Sequence, residues 1–172
     1  MEKQRQSCRI EVHPMPDVER GRLLLDVPIA RVEIPLAVKS YADQSEFKSK
    51  DEYHVTVIGK KTQEQLLTKG VLDDVVRLLE DTTQWSIVSL DDILLLRNIE
   101  TNSTGGRVVE ESIIQLVTLS DIGAFYNDVR KTTGLDIPTP PAHITLFTKN
   151  ADHGIGLYSS AQLAAYTVKK LA

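Results

Sequence analysis

The chain has a single cysteine and no excess of basic charge. Cys8 is alone among 172 residues, so no internal disulfide can form and no cysteine pair has metal-ligand spacing. The 20 lysines and arginines stand against 24 aspartates and glutamates, which gives a formal net charge of −4. An extended nucleic-acid-binding surface needs basic residues clustered on one face of the protein. We therefore expect no extended nucleic-acid footprint, whereas a small phosphate ligand or the phosphate at an RNA end is compatible with this charge.

Long apolar runs are also absent from the sequence. No stretch approaches the roughly 20 apolar residues of a membrane-spanning helix, and residues 1–6 lack the apolar segment of a secretory signal. We therefore expect a cytoplasmic monomer that is not associated with a membrane. Hydrophobic residues make up 41% of the chain, which suffices for a core, and the length suits one domain of two intimate lobes over residues 1–172. Residues 1–20, with Pro14 and Pro16, are predicted to form an irregular N-terminal arm.

Short apolar stretches with the character of strands alternate with helical patterns. Strands are predicted at residues 22–27, 31–38, 53–59, 107–119 and 142–148, and one or two strands at residues 84–96. The turn residues at 102–106 predict a hairpin between two of them. Residues 40–51 lack periodicity and are predicted to form a loop over the functional site. Hairpin strands with helices between them favour an α+β fold with antiparallel sheets over a doubly wound parallel fold.

Residues that are typical of helix N-caps and of helix C-terminal ends mark the limits of the predicted helices. Thr62 opens a sequence that resembles a capping box, and Gly70 interrupts the helical stretch that follows. Ser120 is predicted to cap a helix that stops at Gly134, and Ser160 is predicted to cap a last helix that runs through Lys170. The apolar faces recur at helical spacing, at Leu72, Val75, Val76 and Leu79 in one helix and at Ile122, Phe125, Tyr126 and Val129 in another.

Two of the predicted strands carry the same polar pattern. His54-Val55-Thr56-Val57 and His143-Ile144-Thr145-Leu146 each place a histidine and a threonine two positions apart. Because successive side chains of a strand point to opposite faces, each pair shares one face, about 6–7 Å apart along the strand. One small anionic group could touch both side chains of a pair. With 14 threonines in the chain, two such matches with apolar neighbours should arise by chance on the order of once in a thousand sequences. This figure treats the residues as independent, and the clustering of such residues in strands raises it.

Two histidines suit acid–base chemistry on a phosphodiester. Imidazole, with an unperturbed pKa of about 6.5, gives and takes protons near neutrality. A neutral ring can take a proton from the attacking oxygen while a protonated ring gives one to the leaving oxygen, and threonine hydroxyls can donate to the non-bridging phosphate oxygens. His54 and His143 lie 89 positions apart with no carboxylate at ligand spacing near either. This arrangement makes a poor metal site, so no metal or other cofactor is expected.

The paired motifs resemble the two His-x-Thr-x motifs of the two-histidine (2H) phosphoesterase superfamily, which includes RNA 2′,3′-cyclic phosphodiesterases and RNA 2′-5′ ligase-like proteins. The resemblance spans about residues 50–150, and only the motifs are specific. It implies a bilobal α+β fold with pseudo-two-fold antiparallel sheets flanked by helices and a central cleft. It also implies metal-independent cleavage of a 2′,3′-cyclic or 2′-5′ linkage, with His54 and His143 as the acid–base pair and Thr56 and Thr145 as phosphate anchors.

Other residues near the motifs are also candidates for the functional site. Phe147 shares the predicted face of His143 and is a candidate for stacking on a base, with core packing as the alternative. Lys60 and Lys149 each lie six positions past a motif histidine, and an extended strand would carry them about 20 Å away, at most to the rim of a cleft. His153 begins a predicted turn, His153-Gly154-Ile155-Gly156, which lacks the third glycine of a dinucleotide fingerprint but follows the second motif closely enough to flank the cleft.

Three hypotheses follow from the sequence. The first is a phosphodiesterase that opens 2′,3′-cyclic phosphates of nucleotides or RNA ends, or cleaves 2′-5′ linkages. The absence of an arginine just after the second motif weakens a long RNA substrate. The second is a non-catalytic module that binds a nucleotide or an RNA end, and the third is a structural domain with two unrelated surface histidines. The sequence leaves open which histidine is the acid, which P–O bond breaks, what the natural substrate is, whether ligation occurs and what the oligomeric state is.

Overall fold

A computed structural model of the chain describes residues 10–11, 13–17, 22–27, 31–81, 85–101 and 104–172. The strands are β1 (Ile10–Glu11), β2 (His13–Asp17), β3 (Arg22–Val27), β4 (Lys48–Ser49), β5 (Tyr53–Ile58), β6 (Ser86–Thr101), β7 (Arg107–Leu119), β8 (His143–Lys149) and β9 (Thr167–Lys170). The helices are α1 (Leu36–Gln44), α2 (Lys60–Lys69), α3 (Leu72–Asp81), α4 (Ile122–Thr133) and α5 (Ser160–Tyr166).

The strands form one antiparallel sheet. Its main path has the strand order β1-β6-β7-β8-β5-β3-β2, while β4 pairs with β8 and β9 pairs with β6. The long β6–β7 hairpin, which the turn residues at 102–106 predict, runs from the pair Ile87–Leu119 to the pair Thr101–Arg107. The predicted α+β class with an antiparallel sheet and flanking helices is therefore confirmed.

Different elements cover the two faces of the sheet. On one face, Val55 of β5 and Ile144 of β8 belong to the main core, which also takes in the buried residues of α1 to α4. A separate, smaller apolar cluster joins Leu94, Leu96 and Ile114 of the sheet to Ile155 and Leu157, which follow β8, and to half-buried residues of α5. One face therefore carries four helices, and the other carries α5 and the chain that leads into it.

The predicted strand at residues 31–38 is wrong, because α1 begins inside it. Pro35, with φ −56° and ψ 142°, is the last extended residue before the helix. A proline is well placed at a helix start, where its missing N–H has no intrahelical partner to lose. Val38 and Ala42, four residues apart, are both buried and fix the inward face of α1. The predicted loop over the site at residues 40–51 is also wrong, since this stretch contains half of α1 and all of β4.

The N-terminal arm is predicted to be irregular, but its described part lies in strands. Residues 10–11 form β1 and residues 13–17 form β2, at the two ends of the sheet order. Prolines are tolerated in a sheet on edge strands, where no ladder partner needs their missing N–H. Pro14 and Pro16 both lie in β2, the strand at the outer edge beyond β3. Cys8 lies outside the described residues.

The helix stops are predicted better than the helix starts. Gly70 and Gly134 end α2 and α4 in the left-handed conformation, with φ of 75° and 68°, as the sequence predicts. Thr62 caps nothing, because α2 starts at Lys60 after Gly59. The Ser120 hydroxyl does not cap α4 and instead accepts a hydrogen bond from the backbone N–H of Ser86 at 2.9 Å.

The last predicted helix is too long and is capped one residue earlier than expected. The helix α5 ends at Tyr166, and the following residues 167–170 pair with β6 as β9. The hydroxyl of Ser159, rather than Ser160, accepts a hydrogen bond from the N–H of Gln162 at 3.3 Å. Among the described residues, no helix combines the length and the apolar character needed to cross a lipid bilayer.

Candidate functional site

The two motif strands are direct neighbours in the sheet. In the antiparallel pairing of β5 with β8, Val55 lies opposite Ile144. One step outward from this pair, His54 comes to lie across from Thr145, and Thr56 across from His143. Side chains directly opposite each other in an antiparallel pair have Cβ atoms about 4.5–5.5 Å apart, and diagonal neighbours about 7–8 Å apart. The two motifs thus form a square in which each histidine is beside the threonine of the other motif and the two histidines lie on a diagonal.

A cavity of about 610 Å³ lies over this square. All four motif residues, His54, Thr56, His143 and Thr145, line it. Pockets for small molecules typically have volumes of about 300–1,000 Å³, so this one holds far more than an isolated phosphate group. The structure therefore brings together the four side chains that the sequence predicts to act together, while their catalytic and phosphate-binding roles stay predictions.

His143 is buried and its ring orientation is fixed. His143 is the first residue of β8, shortly after two prolines that lead the chain into the strand, and it is only 7% exposed. The Nδ1 atom is 3.0 Å from the carbonyl oxygen of Pro141. Since a carbonyl oxygen can only accept, Nδ1 carries the proton and Nε2 of the neutral ring carries the lone pair. Burial lowers the pKa of His143 below its usual value, and the hydrogen bond to Pro141 opposes this only in part.

A hydrogen bond from α4 holds the strand of the first motif on the face opposite the cavity. Tyr126 is fully buried, and its hydroxyl donates a hydrogen bond to the carbonyl oxygen of Val57 at 2.7 Å. Burial raises the pKa of the Tyr126 hydroxyl, which therefore stays a protonated donor. The ring of Tyr126 also packs edge-on against Phe125, with centroids 5.5 Å apart. This contact fixes the backbone beside Thr56, while His54 and Thr56 on the opposite face stay partly exposed to the cavity.

Residues 150–158, here called the strap, form the part of the cavity wall that follows β8. His153, Gly154, Ile155 and Tyr158 of the strap line the cavity. The backbone N–H of Ile155 donates to the hydroxyl of Ser112 on β7 at 3.1 Å, in a buried position. The strap is thereby attached to the sheet beside the second motif, and its Ile155 belongs to the smaller apolar cluster.

The first turn of α2 forms the wall on the side of the first motif. Lys60, Lys61 and Glu64 line the cavity together with Gly59. The ammonium of Lys61 lies 4.1 Å from the centre of the Tyr158 ring, which joins α2 to the strap through a cation–π contact. The Tyr158 hydroxyl adds a second link, because it donates to Oε1 of Gln65 at 3.1 Å. Two lysines beside one glutamate give this wall a net positive charge.

The lysine at the same offset after the second motif is placed differently. Lys60 lies beside the cavity because the chain leaves the strand at Gly59 and turns into α2, so the distance expected from an extended strand does not apply. Lys149 still belongs to β8, and its ammonium donates to the carbonyl oxygen of Ser45 at 2.8 Å. Only Lys60 of the two therefore lines the cavity.

Phe147 does not share the face of His143, and that prediction is wrong. Along the β7–β8 pairing, Ile114 lies opposite Thr145 whereas Ile113 lies opposite Phe147, which leaves Leu146 as an extra residue in β8. Such a bulge breaks the alternation of side chains. Phe147 is 6% exposed and belongs to the main core with Ile113, and it is not among the residues that line the cavity. Its place is therefore that of a core residue, the alternative that the sequence leaves open.

Several residues of the cavity wall are not predicted as site residues from the sequence. Tyr158 and Gln162 carry no pattern that connects them with the motifs, whereas the turn at His153 is predicted to flank the cleft and does line the cavity. All three line the cavity, and the side chain of Gln162 accepts a hydrogen bond from the N–H of Tyr158 at 2.7 Å. The one signal in the sequence is that His153 lies ten positions after His143, the first residue of the second motif.

The described residues contain no group of three or more His, Cys, Asp or Glu side chains placed to hold a metal ion. His54 and His143 share the cavity with His153 and Glu64, but these four do not form such a group. His13, another histidine of the chain, lies in β2, and its side chain is outside the described residues. The expectation that no cofactor is needed stays a prediction.

Comparisons of the chain with protein-family models, with curated proteins and with solved structures found no match.

Proposed function

We propose that this protein is a metal-independent phosphodiesterase of the two-histidine type, which opens 2′,3′-cyclic phosphates of nucleotides or RNA ends. The observation that supports this most is the meeting of both His-x-Thr motifs in one cavity, on adjacent antiparallel strands. The pairing of Val55 with Ile144 gives the two motifs a local two-fold relation, and this relation supports the proposal because the resemblance implies pseudo-two-fold symmetry between the motif strands. We further propose that the protein acts in the cytoplasm as a monomer.

The geometry favours His143 as the general base. A base must be unprotonated at the working pH and must present its lone pair to the proton that it takes. Burial lowers the pKa of His143, and the bond from Nδ1 to Pro141 leaves Nε2 as the free nitrogen. His54, across the diagonal of the square, is then the ring that gives a proton to the leaving oxygen.

The proposed step conserves atoms and charge. A water oxygen attacks phosphorus while its proton passes to Nε2 of His143, and the bond from phosphorus to one ribose oxygen breaks. That ribose oxygen takes a proton from protonated His54, so the product is a nucleoside monophosphate with a free hydroxyl. His143 ends protonated and His54 neutral, and proton exchange with solvent restores the starting state. No cofactor takes part in this scheme.

The hydroxyls of Thr56 and Thr145 supply the electrostatic part of the mechanism. Charge accumulates on the non-bridging oxygens of the transition state, and preorganised donors aimed at them stabilise it more than the ground state. Each threonine lies beside the histidine of the opposite motif, so a phosphate centred in the square is within reach of a donor on either side. The positive wall at Lys60 and Lys61 favours an anionic substrate over a neutral ester.

The test is hydrolysis of adenosine 2′,3′-cyclic phosphate by the purified protein in excess EDTA, with products separated by chromatography. We expect conversion to one monophosphate isomer, whose identity shows which P–O bond breaks. Substitutions His54→Ala and His143→Ala should each lower kcat at least a hundredfold, since acid–base groups contribute roughly 10²–10⁴. Full activity in either variant would remove that histidine from the mechanism.

A parallel assay on linear 2′-5′-linked dinucleotides tests the second linkage that the resemblance implies. Calorimetry with adenosine 2′-monophosphate separates catalysis from binding alone. Heat of binding without turnover of any of these substrates would favour the non-catalytic module and would contradict the proposed reaction. Loss of activity in EDTA that Mg²⁺ or Zn²⁺ restores would contradict the metal-independent scheme.

A further inference from the structure

The strap is held in place on both sides of Gly154. Before it, the ammonium of Lys50 donates to the backbone carbonyl oxygen of Asp152 at 2.9 Å. After it, the N–H of Ile155 donates to the hydroxyl of Ser112, and both of these residues are at most 4% exposed. The course of the strap past β8 is therefore fixed by contacts that do not involve Gly154 itself.

Gly154 lies directly against the side chain of Thr145. A methyl group built on Gly154 would overlap with Oγ1 of Thr145 and would lie 2.9 Å from its Cγ2 and 3.0 Å from its Cβ. Since a carbon–carbon bond is about 1.5 Å long, the Cα atom of Gly154 lies within about 4 Å of this hydroxyl oxygen. Gly154 is not among the glycines with positive φ, so the position requires glycine for space and not for backbone conformation.

We propose that Gly154 is a positioning residue for Thr145, and that Ser112 supports it by holding the strap. The proposal rests on the proposed function, in which the Thr145 hydroxyl is a phosphate anchor. A threonine side chain has a small set of staggered χ1 states. With strap backbone packed on its hydroxyl side, Thr145 loses the freedom to turn, and its hydroxyl stays at the border between strap and cavity. A side chain at position 154 would push either Thr145 or the strap out of place.

The primary experiment compares Gly154→Ala with Gly156→Ala in the hydrolysis of adenosine 2′,3′-cyclic phosphate. Both glycines belong to the strap, but a methyl group on Gly156 would meet no atom within 4 Å. We expect Gly154→Ala to lower kcat at least tenfold relative to Gly156→Ala, with KM changed less than threefold, because an anchor of the transition state is displaced. Equal kcat values for the two variants would overturn the proposal.

A double-mutant cycle with Thr145→Ala separates positioning from general damage. This substitution removes the two atoms of Thr145 that a methyl group on Gly154 would approach most closely. We expect Gly154→Ala to change kcat less than twofold in the Thr145→Ala background, since the side chain that it displaces is already shortened. A full tenfold loss in that background would contradict the assignment.

A variant at Ser112 keeps the test open if Gly154→Ala does not fold. Ser112→Ala removes the acceptor of the Ile155 N–H, whereas Ser86→Ala removes a buried hydroxyl near Ser120, away from the cavity. We expect Ser112→Ala to have a kcat at least threefold below that of Ser86→Ala. Equal rates in these two variants would overturn the supporting role of Ser112.

Urea unfolding gives a readout that does not depend on the reaction. Gly154→Ala should lower the urea midpoint more in the wild-type background than in the Thr145→Ala background, because the steric conflict requires the Thr145 side chain. Equal shifts in the two backgrounds would overturn the contact on which the proposal rests. If wild-type protein hydrolyses no substrate while this coupling is found, the proposed function fails and the steric contact stands.

Discussion

Replacing His143 by asparagine should remove one pH dependence from the stability of the protein. Burial lowers the pKa of His143 in the folded state, whereas in the unfolded chain it returns to about 6.5. Between the two values the unfolded chain binds one more proton than the folded protein. The free energy of unfolding must therefore decrease as the pH falls through this window, by up to about 1.4 kcal/mol per pH unit. Well above pH 6.5 both states are neutral at this site and the contribution disappears.

Asparagine is the suitable replacement because its side-chain amide can donate to the Pro141 carbonyl from the position of Nδ1 and has no titration near neutrality. Wild-type protein should accordingly lose stability relative to His143→Asn as the pH falls below 6.5. The difference between the two proteins should be constant from pH 7 to 8. Other titratable groups face the same cavity and are present in both proteins, so their effects cancel to first order, namely His54, His153, Lys60, Lys61 and Glu64.

The assay is urea denaturation in half-unit steps from pH 8 to pH 5, followed by the fluorescence of Trp85. This residue is a good probe because it is 3% exposed and packs on Phe125, with ring centroids 5.6 Å apart. His153→Asn is the matched control, because it makes the same substitution at an exposed position of the cavity wall. Parallel curves for wild type and His143→Asn would refute the neutral, buried state of His143 and with it the reason for naming it the base.

Three further predictions concern the residues around the square. Thr56→Val and Thr145→Val should each lower kcat by about 10²-fold, the loss typical of one oxyanion donor; unchanged kcat in either would remove that hydroxyl from the mechanism. Tyr126→Phe should reduce the free energy of unfolding by about 1–3 kcal/mol, because it removes the hydrogen-bond donor to the buried carbonyl oxygen of Val57. Calorimetry should show a lower Tm for this variant than for Tyr166→Phe, because the Tyr166 hydroxyl makes no hydrogen bond within the part of the chain that the structure describes. Phe147→Leu should cost about 1 kcal/mol of stability as a core substitution and leave KM for the cyclic nucleotide unchanged, whereas a raised KM would return Phe147 to the binding site.

Local patterns suffice for the strands that carry the motifs. Alternation in β5 and β8 is strong, and the sequence places His and Thr on one face of each with no knowledge of the rest. That these strands are neighbours is a property of the whole topology, since β5 and β8 are separated along the chain by three helices and the β6–β7 hairpin. The sequence indicates that the two strands are neighbours only because both motifs have the same His-x-Thr pattern with apolar neighbours. Their separation along the chain gives no such indication.

Each residue whose position is predicted wrongly has its own physical cause. Phe147 changes face because of an extra residue in the pairing with β7, and a bulge of this kind leaves no mark in the polarity of the sequence. Lys60 is predicted to lie about 20 Å from His54 on the assumption that the strand continues past Gly59. In the structure the chain turns into α2 at this point. Tyr158 is not predicted to lie at the cavity, because its contact with Lys61 joins two elements that are distant in the sequence.

The most direct test of the central claim is a double-mutant cycle of the two histidines on adenosine 2′,3′-cyclic phosphate. If His54 and His143 act on one phosphate as acid and base, the variant His54→Ala/His143→Ala should be about as slow as the slower single variant, because groups that act as a unit are strongly non-additive. Single variants that each retain wild-type kcat/KM, or losses that multiply fully in the double variant, would contradict a shared site.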